Sequence, residues 1–308
     1  MFACRARRFE KKRADCSDLR VRLGGSIRYA ESRQSKASRR GKLSNPIITL
    51  TTDYGTNDHL VGVLKGVILR IAPNASIVDI NHHVVPFDVL DGALSIAAAY
   101  RYFPARTVHL VVVDPGVGTA RRPILATADQ SYFVAPDNGV LSLIYERESA
   151  VSVRHITAEH HFLNPVSATF HGRDIFAPVA AWLAKAYQTE AMGEEISDYV
   201  RFALPRPKAA GSTRKGMVLR VDTFGNLMTN FTAEDLPQGA GADGKINLQV
   251  GGKRVEKLAQ TFAQGAAGEP VAIVGSSGFV EIAVNKGQAA RVLGVNRGAE
   301  VILEVGSA

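Results

Sequence analysis

Asp114-Pro115-Gly116-Val117-Gly118-Thr119-Ala120-Arg121-Arg122 gathers a carboxylate, a Gly-x-Gly turn and two guanidinium groups in one short stretch. A glycine pair directly after a strand lets bare backbone approach a ligand. The same residues also suit a tight turn with solvated arginines. They do not make a dinucleotide fingerprint, because Arg122-Pro123 and a new strand follow where a helix should open. Thr169-Phe170-His171-Gly172-Arg173-Asp174 supplies a histidine just before a helix start, with Asp174 available as its N-cap. A carboxylate, a guanidinium and an imidazole are the groups that hold and activate water, so Asp114, Arg121 and His171 are candidate catalytic residues. As a structural alternative, His171 is merely a residue at a helix entrance.

Two further turns carry both a plain and a chemical interpretation. Asp222-Thr223-Phe224-Gly225-Asn226 is either a hairpin turn or a base-binding corner, in which Phe224 stacks and Asn226 bonds a heterocycle edge. Gly275-Ser276-Ser277-Gly278-Phe279 has the same ambiguity. Neighbouring histidines, His82-His83 and His160-His161, invite a metal reading. On an extended chain such neighbours point to opposite faces and rarely share an ion. With no His-Glu-x-x-His and no spaced cysteines, no metal is expected.

The elements that position these residues follow from hydrophobic periodicity. Ile47 to Thr52 is a short β-branched run, a buried strand that delivers Asp53 at its carboxyl end. Residues 58–72 have helical spacing and stop at Pro73, 77–80 is a second strand, and Asp88 is the N-cap of a helix over 89–103. Thr107 to Val113 is a third strand, ending at Asp114. Strands near 123–127 and 131–135 and a helix from Asp174 to about Tyr187 complete the region. Strand–helix alternation implies an α/β domain with a largely parallel sheet, whose ligands sit at the strands' carboxyl ends. Beyond a polar linker at 208–215, short strands with glycine-rich turns predict a small all-β, barrel-like domain. The expected division is therefore a basic extension (1–45), an α/β domain (46–207), the linker (208–215) and the β domain (216–308).

Charge narrows the function classes. The chain of 308 residues has a formal net charge of +8, yet residues 1–45 hold 14 of its 37 basic and 4 of its 29 acidic side chains. The remainder, with 23 basic and 25 acidic residues, is almost neutral, which argues against nucleic-acid binding by the folded body. Both cysteines, Cys4 and Cys16, lie in the extension, so the folded part offers neither a disulfide framework nor a thiolate nucleophile. The extension lacks the apolar core of a secretory signal and is expected to be disordered. No run approaches the roughly 20 apolar residues of a membrane span. A cytoplasmic protein is the default expectation.

Taken together, the segments resemble the S-adenosylmethionine hydrolase family, also called SAM hydroxide adenosyltransferases, which is related to fluorinases and chlorinases. The likeness runs from about Ile47 to Val305. It rests on Thr51-Thr52-Asp53-Tyr54-Gly55, Pro86-Phe87-Asp88, Asp114-Pro115-Gly116-Val117-Gly118 with Arg121-Arg122, Ala135-Pro136-Asp137-Asn138-Gly139, Phe170-His171-Gly172-Arg173-Asp174, Phe224-Gly225-Asn226 and Glu281-Ile282-Ala283-Val284-Asn285, in that order. The resemblance implies a catalytic Asp114–Arg121–His171 set. It further implies that Asp53 holds the ribose hydroxyls, Asn226 and backbone near Val284 read adenine, and Asp222 and Ser276 hold the methionine end. Phe87, Phe224 and Glu281 count among the substrate-binding residues.

The implied activity is hydrolysis of S-adenosyl-L-methionine to adenosine and L-methionine, with the sulfonium compound as substrate and no cofactor. The implied assembly is a homotrimer with sites between subunits. The halogenases of the family carry a tyrosine where this chain has Asp114, and an insertion before the 131–135 strand that this chain lacks. Tyr54 stands where phenylalanine is common. Two rivals remain, a halide-using adenosyl transferase and a non-catalytic adenosine-binding protein.

Overall fold

A computed structural model of the chain describes residues 45–237 and 244–305. Apart from Asn45, the basic extension and both cysteines lie outside the described residues. The α/β region opens with β1 (Ile47–Thr52), α1 (Leu60–Ile71), β2 (Ser76–Asn81), α2 (Val89–Ala99) and β3 (Val108–Val112). Then come β4 (Pro123–Ala128), β5 (Ser131–Pro136), α3 (Ser142–Arg147), β6 (Val151–His155) and α4 (Ala177–Ala184). The sheet order is β2-β1-β3-β5-β4-β6.

The first four strands of that order are mutually parallel. The exception is β4, antiparallel to both β5 and β6. Two residues, Asp129 and Gln130, join β4 to β5, both with positive φ (44° and 60°). So short a loop permits only a hairpin.

Alternation along β3 divides the core. Val108, Leu110 and Val112 face α1 and α4, packing with Leu64, Ile68 and Phe176. Val111 and Val113 face the other side, with Ala93, Ile96 and Leu141 from the α2–α3 layer. Asp88 caps α2 as expected, accepting from Asp91 N at 3.0 Å. The helix before Tyr187 differs from expectation. Gly172–Phe176 forms a π-helical turn and the α-helix starts only at Ala177, so Asp174 lies inside the turn rather than capping it. Its carboxylate is drawn away by Arg173 and by Ser167 N.

The second region comprises β7 (Lys208–Ala210), β8 (Thr213–Val221), β9 (Leu227–Thr232), β10 (Lys245–Val250), β11 (Lys253–Ala259), β12 (Pro270–Val274), β13 (Phe279–Val284), α5 (Ala289–Leu293) and β14 (Glu300–Glu304). Seven strands in the order β14-β10-β11-β12-β13-β9-β8 close on themselves, because β14 also pairs with β8. Closure removes exposed edges. Phe231, Leu248, Val255, Ile282 and Leu303 fill the interior.

The polar 208–215 segment is not a free linker. Lys208 to Ala210 pair with β8, and the Gly211-Ser212 turn makes the segment a hairpin on the barrel's rim. Its polarity follows from its exposure.

The two regions meet along α2. Arg220 of β8 lies 3.2 Å from the buried Asp91 and donates to Ser95 Oγ at 3.1 Å, while Arg297 pairs with Asp88. Asp91 also accepts from Val85 N at 3.0 Å. Removing this carboxylate strands a guanidinium and a backbone donor together. Asp91→Ala is therefore expected to cost about 2–4 kcal/mol in urea unfolding. A loss below about 0.5 kcal/mol, the range of ordinary surface changes, would show that the junction does not depend on it.

Candidate active site

Parallel pairing of β1 with β3 sets Thr52 beside Val112. The chain leaving each strand therefore delivers Asp53 and Asp114 to the same end of the sheet, where open α/β sheets bind ligands. After Asp114 the loop turns back on itself through Val117 N to Asp114 O and Thr119 N to Gly116 O. Gly118 has φ +78°, and a Cβ there would stand 2.4 Å from the Ala168 carbonyl. This close approach sets the 114–121 loop against the segment leading to His171.

Asp114, Arg121 and His171 are brought together. Arg121 Nε donates to both oxygens of Asp114 at 2.9 and 3.0 Å, Nη2 also meets Oδ2, and Nη2 contacts His171 Nδ1 at 2.7 Å. The Asp114 and Arg121 side chains are only 6% and 8% exposed, and the guanidinium lies 5.1 Å from the Phe176 ring centroid. A guanidinium can only donate, so Nδ1 of His171 accepts and the neutral ring carries its proton on Nε2. Burial, with the Arg121 charge adding to it, lowers the His171 pKa from its ordinary value, favouring that neutral ring.

The 135–139 motif holds this loop at both ends. Asn138 Nδ2 donates to the carbonyl of Val113, immediately before Asp114, at 2.8 Å. Asp137 accepts from Arg122, immediately after Arg121, at 2.7 and 2.9 Å. The two adjacent arginines thus have separate partners, Arg121 buried against Asp114 and Arg122 partly exposed between Asp137 and Asp198.

Asp53 stands close enough to Asp114 to feel its charge. Burial raises the Asp53 pKa, and the Asp114 charge raises it further against the opposing hydrogen bond from Phe87 N at 2.9 Å. Phe87 is 73% exposed with φ +67°. Tyr54 packs edge-on against Phe170, with ring centroids 5.8 Å apart. Burial first, and then the Asp53 and Asp114 charges, raise its pKa and keep the phenol protonated.

The remaining predicted residues gather on the barrel. The β8–β9 turn is tied by Asp222, whose Oδ1 accepts from Phe224 N and Asn226 N at 2.9 and 2.8 Å, and whose Oδ2 accepts from Asn226 Nδ2 at 2.9 Å. Phe224 projects from that turn, 75% exposed. Glu281 and Val284 follow along β13, beside β9, and Ser276 is exposed in the β12–β13 turn. A Cβ on Gly275 would lie 2.1 Å from Glu281 Oε1, so that carboxylate rests directly on the turn. Burial and the Asp222 charge raise the Glu281 pKa, and no donor bonds it among the described residues. No hydrogen bond or ion pair among the described residues joins this barrel group to the Asp53–Asp114 group.

Two family models match the chain, the SAM hydroxide adenosyltransferase N-terminal domain over residues 48–193 and its C-terminal domain over 216–302. The chain belongs to the SAM hydroxide adenosyltransferase family. Within this family it is 41% identical to a protein of Salinispora tropica named (R)-S-adenosyl-L-methionine hydrolase, over 82% of this chain and 95% of that one. It is 38% identical to a Thermus thermophilus protein of the same name, over 82% and 97%. An Actinoplanes fluorinase is 32% identical over 78% and 91%. Among solved structures, an uncharacterised Thermotoga maritima protein superposes with a TM-score of 0.76 at 40% identity, covering 83% of this chain and 99% of that one.

Thr52, Asn138 and His82 carry no signal of a positioning role in the sequence. All three lie at or just beyond the carboxyl ends of strands, and His82 stood out only as half of a histidine pair. Metal sharing by that pair has no support, since His82 is buried and His83 exposed. Among the described residues no group of three or more His, Cys, Asp or Glu is placed to hold a metal ion.

Gly172 opens the π turn directly after His171, and a Cβ there would fall 2.2 Å from the Tyr54 hydroxyl. Gly172→Ala is expected to destabilise the fold by about 1–3 kcal/mol, as overpacking does. Because the atom met is the phenol oxygen, adding Tyr54→Phe should recover much of that loss in a double-mutant cycle of unfolding free energies. Strict additivity would show that the contact is not the constraint.

Proposed function

We propose that this protein hydrolyses S-adenosyl-L-methionine to adenosine and L-methionine by attack of water on the ribose C5′ carbon. The observation that carries this reading is the buried Asp114–Arg121–His171 cluster at the carboxyl ends of β1 and β3. Family membership and the hydrolase names of relatives support it. Those names specify the (R) sulfonium, and we extend that preference to this chain.

In the proposed step the water oxygen forms a bond to C5′ as the C5′–S bond breaks. The bonding pair leaves with sulfur, so methionine departs as a neutral thioether and needs no general acid. The demand falls on the nucleophile, which must be held in line behind C5′. His171, with Nδ1 engaged by Arg121, offers Nε2–H to the water oxygen. The carboxylate of Asp114 retains lone pairs beyond those used by Arg121 and accepts the water's proton. Arg121 stabilises hydroxide character. A carboxylate in this place repels a halide, which disfavours the fluorinase reaction despite the 32% identity to a protein of that name.

Asp53 would take the ribose hydroxyls, supported by its place at the same end of the sheet as Asp114. On the barrel, Asn226 and the Val284 backbone would read adenine against Phe224. Asp222, Ser276 and the unbonded Glu281 carboxylate would receive the methionine ammonium end, with Phe87 lining the substrate. Because the two groups share no bond among the described residues, we further propose that they meet across a homotrimer interface. No cofactor enters the scheme, and we place the enzyme in the cytoplasm. Among the described residues, no helix is long and apolar enough to cross a membrane.

Purified protein incubated with the (R) and (S) epimers in halide-free buffer should release adenosine and methionine one-to-one, faster from (R). Asp114→Asn should lower kcat by about 100-fold or more while adenosine binding changes little, as for loss of a general base. Equal losses in turnover and binding would remove the catalytic role. The pH profile has a signed expectation too. Neutral His171 is the active form, so kcat/KM should fall as pH drops through a pKa below the ordinary histidine value of about 6.5. A limb at or above that value would contradict the assignment.

A further inference from the structure

The Asp53 carboxylate accepts a backbone bond from Phe87 N, and the segment carrying it, 52–55, has a further anchor in the buried interior. Thr52 is fully buried, and its Oγ1 lies 2.8 Å from His82 Nδ1. The same hydroxyl accepts from Tyr54 N at 3.3 Å, and the His82 carbonyl accepts from Gly55 N at 2.6 Å. His82 is itself only 4% exposed. Its Nε2 is 3.1 Å from Asp79 Oδ1, a bent contact rather than a well-aligned hydrogen bond, and Lys65 Nζ meets the other Asp79 oxygen at 2.6 Å.

The chemistry of these groups fixes the direction of the chain. A carboxylate beside Nε2 calls for the ring proton there, which leaves Nδ1 bare. Thr52 then donates its hydroxyl proton to Nδ1 and uses a lone pair for Tyr54 N. The 52–55 turn is thereby held by His82, just beyond β2, through both its ring and its carbonyl, and from within by the Thr52 hydroxyl.

We propose that His82 is a positioning residue for substrate recognition: through Thr52 it fixes the turn that presents Asp53. The inference rests on the proposed role of Asp53 towards the ribose hydroxyls. His82 touches no reacting atom. It acts by restricting where the Asp53 carboxylate can stand, so its loss should weaken recognition of the 2′- and 3′-hydroxyls specifically.

The test compares binding of adenosine and 2′,3′-dideoxyadenosine by calorimetry to the full-length parent protein and to Thr52→Val, His82→Leu and His82→Asn. Thr52→Val is nearly isosteric and guards against a variant that fails to fold. His82→Asn keeps an acceptor near the Nδ1 position. Losing one buried hydrogen bond is expected to weaken adenosine binding about tenfold in Thr52→Val and His82→Leu, with dideoxyadenosine affinity unchanged. His82→Asn should recover most of the difference. If parent discrimination between the two ligands is strong and the variants retain it, or lose affinity for both ligands equally, the positioning role is overturned. A parent that binds the two ligands alike would instead overturn the ribose role of Asp53, and this inference with it.

Discussion

A buried ion pair governs this structure. Asp114 and Arg121 are almost wholly removed from water, and ions so placed cost several kcal/mol unless their hydrogen-bonding directions are filled. Here Arg121 engages both carboxylate oxygens, contacts His171, and lays its face on Phe176. Satisfying the pair requires the end of β3, the 115–121 loop and the turn at 171–176 to converge. Much of the surrounding sequence serves that convergence. Asn138 and Asp137 grip the residues flanking the loop, Gly118 admits the Ala168 carbonyl, and Asp174 holds the backbone before His171 through Ser167 N.

The same pair sets the electrostatics around it. Arg121 neutralises one of two neighbouring carboxylates, so the cluster of Asp53, Asp114 and Arg121 carries one negative charge when both acids are ionised. That balance favours a cationic ligand and opposes an anionic one, while the Asp53 pKa, raised first by burial, is raised a little further by the Asp114 charge. A neutral His171 adds no positive charge. The cluster is therefore polarised to hold water or hydroxide near a cation and ill-suited to hold a free halide.

How far the fold could be foreseen depended on the range of the interactions that decide each part. The strands delivering Asp53 and Asp114 announce themselves as β-branched runs ending in aspartate, and parallel pairing makes those ends coincide. Asp88 as a cap needed only its own helix. Asp174 looked like another cap because its competing partners, Arg173 and Ser167 N, act only once the turn has formed. Polar residues 208–215 looked like a linker because an exposed rim hairpin has no apolar alternation to display. His82 gave no local signal of a positioning role: its meaning comes from Thr52, 30 residues earlier in the chain and on the adjacent strand.

The exposed aromatics on the two groups of site residues point to an incomplete surface. Phe87 is held in a left-handed backbone conformation that bulky side chains rarely adopt, and it is fixed there by its bond to Asp53. Phe224 is presented by a turn whose carboxylate, Asp222, is committed to maintaining that turn. Burying either ring would contribute about 1.5–3 kcal/mol. A chain that spends backbone strain and a carboxylate on keeping aromatic rings in water gains nothing from them alone. Under the proposed function, the apolar, flat part of the substrate covers them. Each group also holds a carboxylate whose pKa is raised first by burial, Asp53 in one and Glu281 in the other.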